Sequence, residues 1–243
     1  MSQEKIIQDT INYLKFYKDY RDYSIYAGEV AEPASVMKVP EDNNPSRDPD
    51  NWINCNSLDS FSDAIQDCPK CKVLASTRKQ VVFGTGNPNA DVVVVGEAPG
   101  SDEDQQGKPF VGRAGKLLTE ILLAINLNRE DIFICNILKC RPPDNRNPMP
   151  GEIANCEPYL FKQLEMIKPK LILSLGTFAS QTLLQTKEPL GKLRGKFHVY
   201  KGIKMMVTYH PAALLRNPNW KRPTWEDVQM FRTEYDRLLA VGS

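Results

Sequence analysis

The chain has 243 residues, 41% of them hydrophobic and 25% charged, which is the composition of an ordinary soluble protein with room for one sizeable core or a core plus an appendage. No segment approaches the ~18 consecutive apolar residues of a membrane helix. The net charge of +1 hides an asymmetry: residues 1–67 carry 6 Lys/Arg against 13 Asp/Glu, and residues 68–243 carry 25 against 17. The larger part is basic and suits a polyanionic partner such as nucleic acid, through counterion release.

In chain order, the opening MSQEKIIQDTINYLKFYKDY carries charges throughout and no apolar run of signal-peptide length, an expectation of a cytoplasmic protein. Ile7, Ile11, Leu14 and Tyr17 recur at helical spacing and predict an amphipathic helix over about residues 3–22. The stretch from Ala31 to Asn51 is rich in Pro, Asn and Asp and reads as linker. Leu58 to Ile65 is a candidate short helix. These residues, 1–65, form an acidic N-terminal extension, and residues 66–243 form the main domain.

From residue 81 strands alternate with helices. Short apolar runs at Val92–Val95, Ile132–Cys135, Leu171–Leu175 and Met205–Tyr209 have the character of parallel strands buried on both faces. Helical patterns lie near Gly112–Ile125, Gly151–Ile167 and Thr177–Thr186, with another from Trp225 to Leu239. Before the last run, KLRGKFHVYKGIKMMVTYH predicts a hairpin turning at Lys201-Gly202. The expected fold is α/β, a three-layer α/β/α sandwich around a central four-stranded parallel sheet.

In such sheets a ligand sits at the carboxyl ends of the strands. Here those ends offer Glu97, Asn136, Gly176 and His210. The loop after the first strand, GEAPGSDEDQQGKPFVGRAG, is rich in glycine but matches neither G-x-x-x-x-G-K-S/T nor G-x-G-x-x-G. Its Glu97, Asp102, Glu103 and Asp104 would also repel a polyphosphate. A carboxylate, an amide and an imidazole suit a planar, uncharged, hydrogen-bonding ligand instead.

Six cysteines occur. Cys68-Pro-Lys-Cys71 is a knuckle able to aim two thiolates at one metal, and Cys140 and Cys156 supply two more candidate ligands. This spacing leaves zinc and an iron–sulfur cluster equally open. Cys55 and Cys135 read as a linker thiol and a small buried hydrophobe.

GEAPG at Gly96–Gly100, KPFVGRAG at Lys108–Gly115, NILKCRPPDNRNP at Asn136–Pro148 and HPAALLRNP at His210–Pro218 together resemble the family 4 uracil-DNA glycosylases. The resemblance covers about residues 66–240. It implies a 4Fe–4S cluster on Cys68, Cys71, Cys140 and Cys156, structural rather than catalytic. It also implies a monofunctional enzyme of base excision repair that extrudes deoxyuridine from DNA, single- or double-stranded, and hydrolyses the N-glycosidic bond.

The same resemblance assigns roles residue by residue. Uracil would lie on the ring of Phe110 near the backbone of Glu97 and Ala98. Asn136 would read its edge, donating to O4 and accepting from N3–H, where cytosine presents the reverse pattern. His210 would hydrogen-bond O2 as charge gathers on the leaving base. Glu97 would position the water or stabilise the cationic sugar; capping of the loop by its carboxylate is the plainer alternative. Leu214, Leu215 and Arg216 would enter the DNA groove, with a leucine as wedge, and Arg194 and Lys221 are candidate phosphate contacts. His198 reads as a surface residue, and Asp102 to Asp104 as a solvated or capping cluster.

Two other readings stay open on the sequence: a related iron–sulfur glycosylase acting on hypoxanthine or mismatched thymine, and a non-catalytic cluster-bearing DNA-binding module. The expected state is a monomer, with the acidic extension as a possible docking arm for a repair protein or a cover for the basic face.

Overall fold

The computed structural model describes residues 51–241. The helix expected over residues 3–22 and nearly all of the Ala31–Asn51 linker lie outside the described residues. Among the described residues, side chains ahead of residue 66 pack into the same core as the sheet. The packing is aromatic. Trp52 stacks on Phe61 with ring centroids 5.6 Å apart and meets the edge of Tyr159 at 4.9 Å, while Phe61 meets Phe83 at 5.1 Å. Leu58–Ile65 (α1) forms as expected, with Ser57 Oγ accepting from Ser60 N. Its Phe61 and Ile65 are fully buried, so this stretch belongs to the domain.

Six strands form one mixed sheet: Thr85–Gly86 (β1), Val92–Gly96 (β2), Phe133–Asn136 (β3), Leu171–Leu175 (β4), Phe197–Tyr200 (β5) and Ile203–Thr208 (β6). Their order is β1-β3-β2-β4-β6-β5. The inner four are parallel, and both edges are antiparallel. The expectation of a four-stranded sheet is therefore corrected to six. β1 is two residues long, too short to leave a periodic signal, and β5 joins through the hairpin. Lys201 and Gly202 turn that hairpin with φ of 48° and 86°, as a two-residue turn matched to strand twist requires.

Alternate side chains of a strand face opposite ways, and both faces of this sheet are apolar. Val93, Val95 and Ile172 lie in one core with Leu160 and Leu183, whereas Val94, Leu173 and Met206 lie in another with Leu118 and Phe231. Lys72–Thr77 (α2), Pro150–Ile167 (α5), Thr177–Leu184 (α6) and Leu190–Leu193 (α7) join α1 on the first face. Arg113–Ala124 (α4) and Lys221–Val241 (α9) cover the second. Ser101–Gln106 (α3) and Pro211–Arg216 (α8) sit at the carboxyl rim. Among the described residues no helix is long and apolar enough to cross a membrane.

Register decides what meets at that rim. Gly96 of β2 pairs with Asn136 of β3, and Leu175 of β4 pairs with Thr208 of β6. The residues leaving these strands therefore converge within one cleft.

Candidate active site

A cavity of about 660 Å³ opens at this rim, lined by Glu97, Phe110, Asn136, Gly176 and His210 among others. It includes all four residues expected at the strand ends, and Ala98 lines it too.

The β2–α3 loop is stapled by Glu103. Its Oε2 accepts from Gly100 N at 3.1 Å, and its Oε1 accepts from Val111 N at 2.9 Å and Gly112 N at 3.0 Å. Asp104 is buried and accepts from Lys79 N at 2.9 Å. Glu103 and Asp104 thus cap the loop, because carboxylates make strong charge-assisted bonds to amides, while Asp102 is exposed. Arg129 Nη2 donates to Pro109 O at 2.6 Å from the other side. Phe110, between these anchors, adopts φ 53°, a left-handed conformation that a bulky residue holds only when its surroundings impose it.

Asn136 is 2% exposed, and its Oδ1 has no hydrogen-bond partner. A buried, unpaired acceptor costs about 1–3 kcal/mol and calls for an account. Its place is fixed by backbone bonds that continue past the strand, Ile137 N to Gly96 O at 2.9 Å and Leu138 N to Glu97 O at 3.0 Å. Glycine at 96 is required here: a Cβ would strike both Asn136 Oδ1 and the Phe110 ring. The amide and the aromatic ring thus both border a space that only glycine leaves open.

His210 caps α8. Its Nδ1 accepts from Ala212 N at 3.1 Å, so the ring proton belongs on Nε2. Burial, assisted by Arg216, pulls the imidazole pKa down to about 4, leaving a neutral donor at physiological pH. The Phe110 ring lies 5.4 Å from it, centroid to centroid, at 31°. Glu97 has no hydrogen-bond partner for its carboxylate among the described residues. Burial pushes its pKa up to about 7 against the pull of Arg216. Loop capping, the plainer reading of Glu97, is performed by Glu103.

The expected DNA contacts divide. Leu214 is 1% exposed and anchors α8 in the core, whereas Leu215 is 41% exposed. This corrects Leu214 as a groove contact, because helix periodicity turns it inward. Arg216 lines the cavity, and Lys221 is exposed. Arg194 is also corrected. Its Nε and Nη2 bind the two carboxylate oxygens of buried Asp227 at 2.9 and 2.8 Å, which commits it to the core. Asp227 Oδ2 also accepts from Thr208 Oγ1 at 2.7 Å. His198 Nε2 donates to Leu193 O at 2.7 Å, a structural bond.

The four cysteines singled out share one region behind β3. Cys140 and Cys156 are buried, and Cys68 and Cys71 are partly so. Arg78 Nη1 reaches Cys140 Sγ at 3.4 Å, Asn155 Nδ2 reaches Cys71 Sγ at 3.5 Å and Lys139 N reaches Cys156 Sγ at 3.2 Å. Burial first, with the neighbouring thiols adding to it, pushes Cys140 up to about 11 and Cys156 up to about 12. Among the described residues no three or more His, Cys, Asp or Glu side chains form a group tight enough for a single metal ion. Cys135 is buried on β3, as expected.

Sequence reasoning missed Lys139. It is 1% exposed, and its Nζ donates to Asn136 O at 2.8 Å and to Gln163 Oε1 at 2.6 Å. The signal was a lone lysine in the apolar run NILKC. It ties the backbone at the end of β3 to α5.

The family model of the Uracil DNA glycosylase superfamily matches residues 83–229. The chain is 47% identical over 182 residues to a type-4 uracil-DNA glycosylase of Saccharolobus solfataricus, covering 71% of this chain and 84% of that one. It is 47% identical over 181 residues to one of Archaeoglobus fulgidus, covering 71% and 90%. It is 42% identical over 176 residues to one of Thermotoga maritima, covering 71% and 91%. With the matched segment spanning the sheet, the cavity and both helix layers, the chain belongs to the uracil DNA glycosylase superfamily.

Proposed function

We propose that this chain is a monofunctional uracil-DNA glycosylase that binds an extruded uracil in the rim cavity and hydrolyses its N-glycosidic bond. The observation that carries this reading is the buried, unpartnered Oδ1 of Asn136 beside the Phe110 ring. Uracil N3–H supplies the missing donor and O4 accepts from the amide nitrogen; cytosine offers an acceptor at N3 and leaves Oδ1 unpaired.

As the C1′–N1 bond breaks, its electron pair leaves with uracil and negative charge spreads onto O2. The Nε2–H of neutral His210 donates there, in a site whose tautomer is set before substrate arrives. Glu97, ionised above about pH 7, orients water toward C1′ and takes up its proton as the C1′–O bond forms. The products are free uracil and an abasic site. Leu215 fills the space left in the helix, and Arg216 and Lys221 meet phosphates.

Cys68, Cys71, Cys140 and Cys156 would hold a 4Fe–4S cluster, whose part is to cross-link the α2, β3 and α5 segments rather than to react. Four mutually influencing thiols with N–H donors aimed at three of them fit such a group. We further propose a cytoplasmic monomer whose acidic extension docks a repair protein or shields the basic face. Deletion of that extension should alter DNA affinity or pull-down profiles; no change in either removes this point.

The deciding experiment is uracil release from a labelled oligonucleotide by the wild type, His210→Ala and Asn136→Ala. Release by the wild type and strong loss in both variants is the expected result. Intact deoxyuridine strands after incubation with the holoenzyme would overturn the reading.

A further inference from the structure

The cavity has one feature that the uracil site does not use. Tyr209, which follows β6, stacks on Trp220 with ring centroids 4.9 Å apart and planes 8° from parallel. Both line the cavity, and Trp220 is 37% exposed. The turn Pro218–Trp220 that presents it is fixed by local bonds. Asn217 Oδ1 accepts from Asn219 N at 3.2 Å, and Thr224 Oγ1 donates to Trp220 O at 2.8 Å. The indole is thus held from its own backbone and backed on one face by Tyr209. Among the described residues no other ring or cation stacks on it.

A flat, rigid, exposed indole at the mouth of a base pocket is matched to another flat π-surface. Arg216, which lines the same cavity, and Lys221, next to the indole in sequence, are exposed and form no ion pair within 4 Å among the described residues, as positions for neighbouring phosphates. When one nucleotide leaves a strand, its neighbour loses a stacking partner. An indole can replace that partner in single strands as well as duplexes, with little regard to base identity.

We propose that the Tyr209–Trp220 stack is a second nucleobase platform, which receives the base adjacent to the extruded nucleotide in the same strand. The proposal rests on the rim cavity being the uracil site. It makes Trp220 a determinant of activity on single strands, where no partner strand keeps the neighbour in place.

The test compares wild type, Trp220→Ala and Trp220→Phe on single-stranded oligonucleotides. Uracil is flanked on its 5′ or 3′ side by a normal base or by a stable abasic analogue. For the wild type, removing the base on one side should lower kcat/KM about 5–150-fold. Trp220→Ala should show that loss on the intact substrate and no further loss with the abasic neighbour, and Trp220→Phe should keep most of the rate. A 2-aminopurine at the sensitive position should be quenched when wild type binds. Equal losses on every substrate, wild-type rates in Trp220→Ala, or unchanged 2-aminopurine emission on both sides overturns the platform. Failure of the uracil site shows separately, as full uracil release by Asn136→Ala.

Discussion

Two polar clusters sit close together at the carboxyl rim and differ in one respect. In the Asp227 cluster every group is satisfied: Arg194 grips both carboxylate oxygens, and Thr208 donates to one of them. In the pocket cluster, Asn136 Oδ1 has no partner, and Glu97 carries a carboxylate raised by burial with only the distant pull of Arg216 against it. Burial raises Asp227 as well, but Thr208 and Arg194 oppose it. A completed network holds the fold, and an incomplete one waits for a ligand. The difference separates residues by what their loss should damage.

The largest effect belongs to the satisfied side. Arg194→Ala leaves a buried carboxylate uncompensated and should cost about 3–5 kcal/mol, read as a fall in melting temperature. The rate per folded molecule in single turnover should change little; a rate loss larger than the stability loss would blur the comparison. On the unsatisfied side the pattern inverts. His210→Ala should reduce kcat about 10²–10³-fold, the scale for one lost oxyanion donor, with a stability loss of only about 1 kcal/mol, that of a removed helix cap. Because His210 is depressed to about 4, its stability contribution is present above the unfolded pKa near 6.5 and is lost as pH falls through 4.

Glu97 should produce an intermediate effect. Its ionised form prevails above about pH 7, so kcat/KM should drop as pH falls below 7, and Glu97→Gln should abolish that limb with a loss on the order of 10²-fold. Stability runs the other way. A raised carboxyl pKa favours the folded state at pH values below the unfolded pKa near 4.5, and this contribution is lost as pH rises through 7. The glutamine variant should therefore lose less stability over that interval by denaturant titration. The smallest effect is expected at Leu215. Leu215→Ala should leave stability within about 0.5 kcal/mol and slow excision from duplex several-fold, while Leu214→Ala should cost about 2–5 kcal/mol. Equal stability losses in the two would contradict the assignment of the wedge.

Much of this arrangement was legible in the sequence. Four apolar runs marked the inner strands, because burial on both faces leaves no polar alternation to obscure them. Their carboxyl ends then pointed to Glu97, Asn136, Gly176 and His210 before any geometry was known. The losses were of contacts distant in sequence. That Arg194 is consumed by Asp227, 33 positions away, has no local signature, and a basic hairpin reads the same whether its arginine faces phosphate or core. Trp52 and Phe61 were hidden behind an acidic composition that suggested an appendage. The Tyr209–Trp220 stack depends on how α8 turns the chain back on itself, which no periodicity reports.

The threefold use of Glu103 has a consequence for binding. One carboxylate receives amides from both ends of the segment that carries Phe110, so that segment cannot fray from one side. It should exchange its protected amide hydrogens as a single cooperative block. On the proposed reading, an incoming base then meets a surface whose ordering cost was met during folding, and more of the contact free energy survives as affinity.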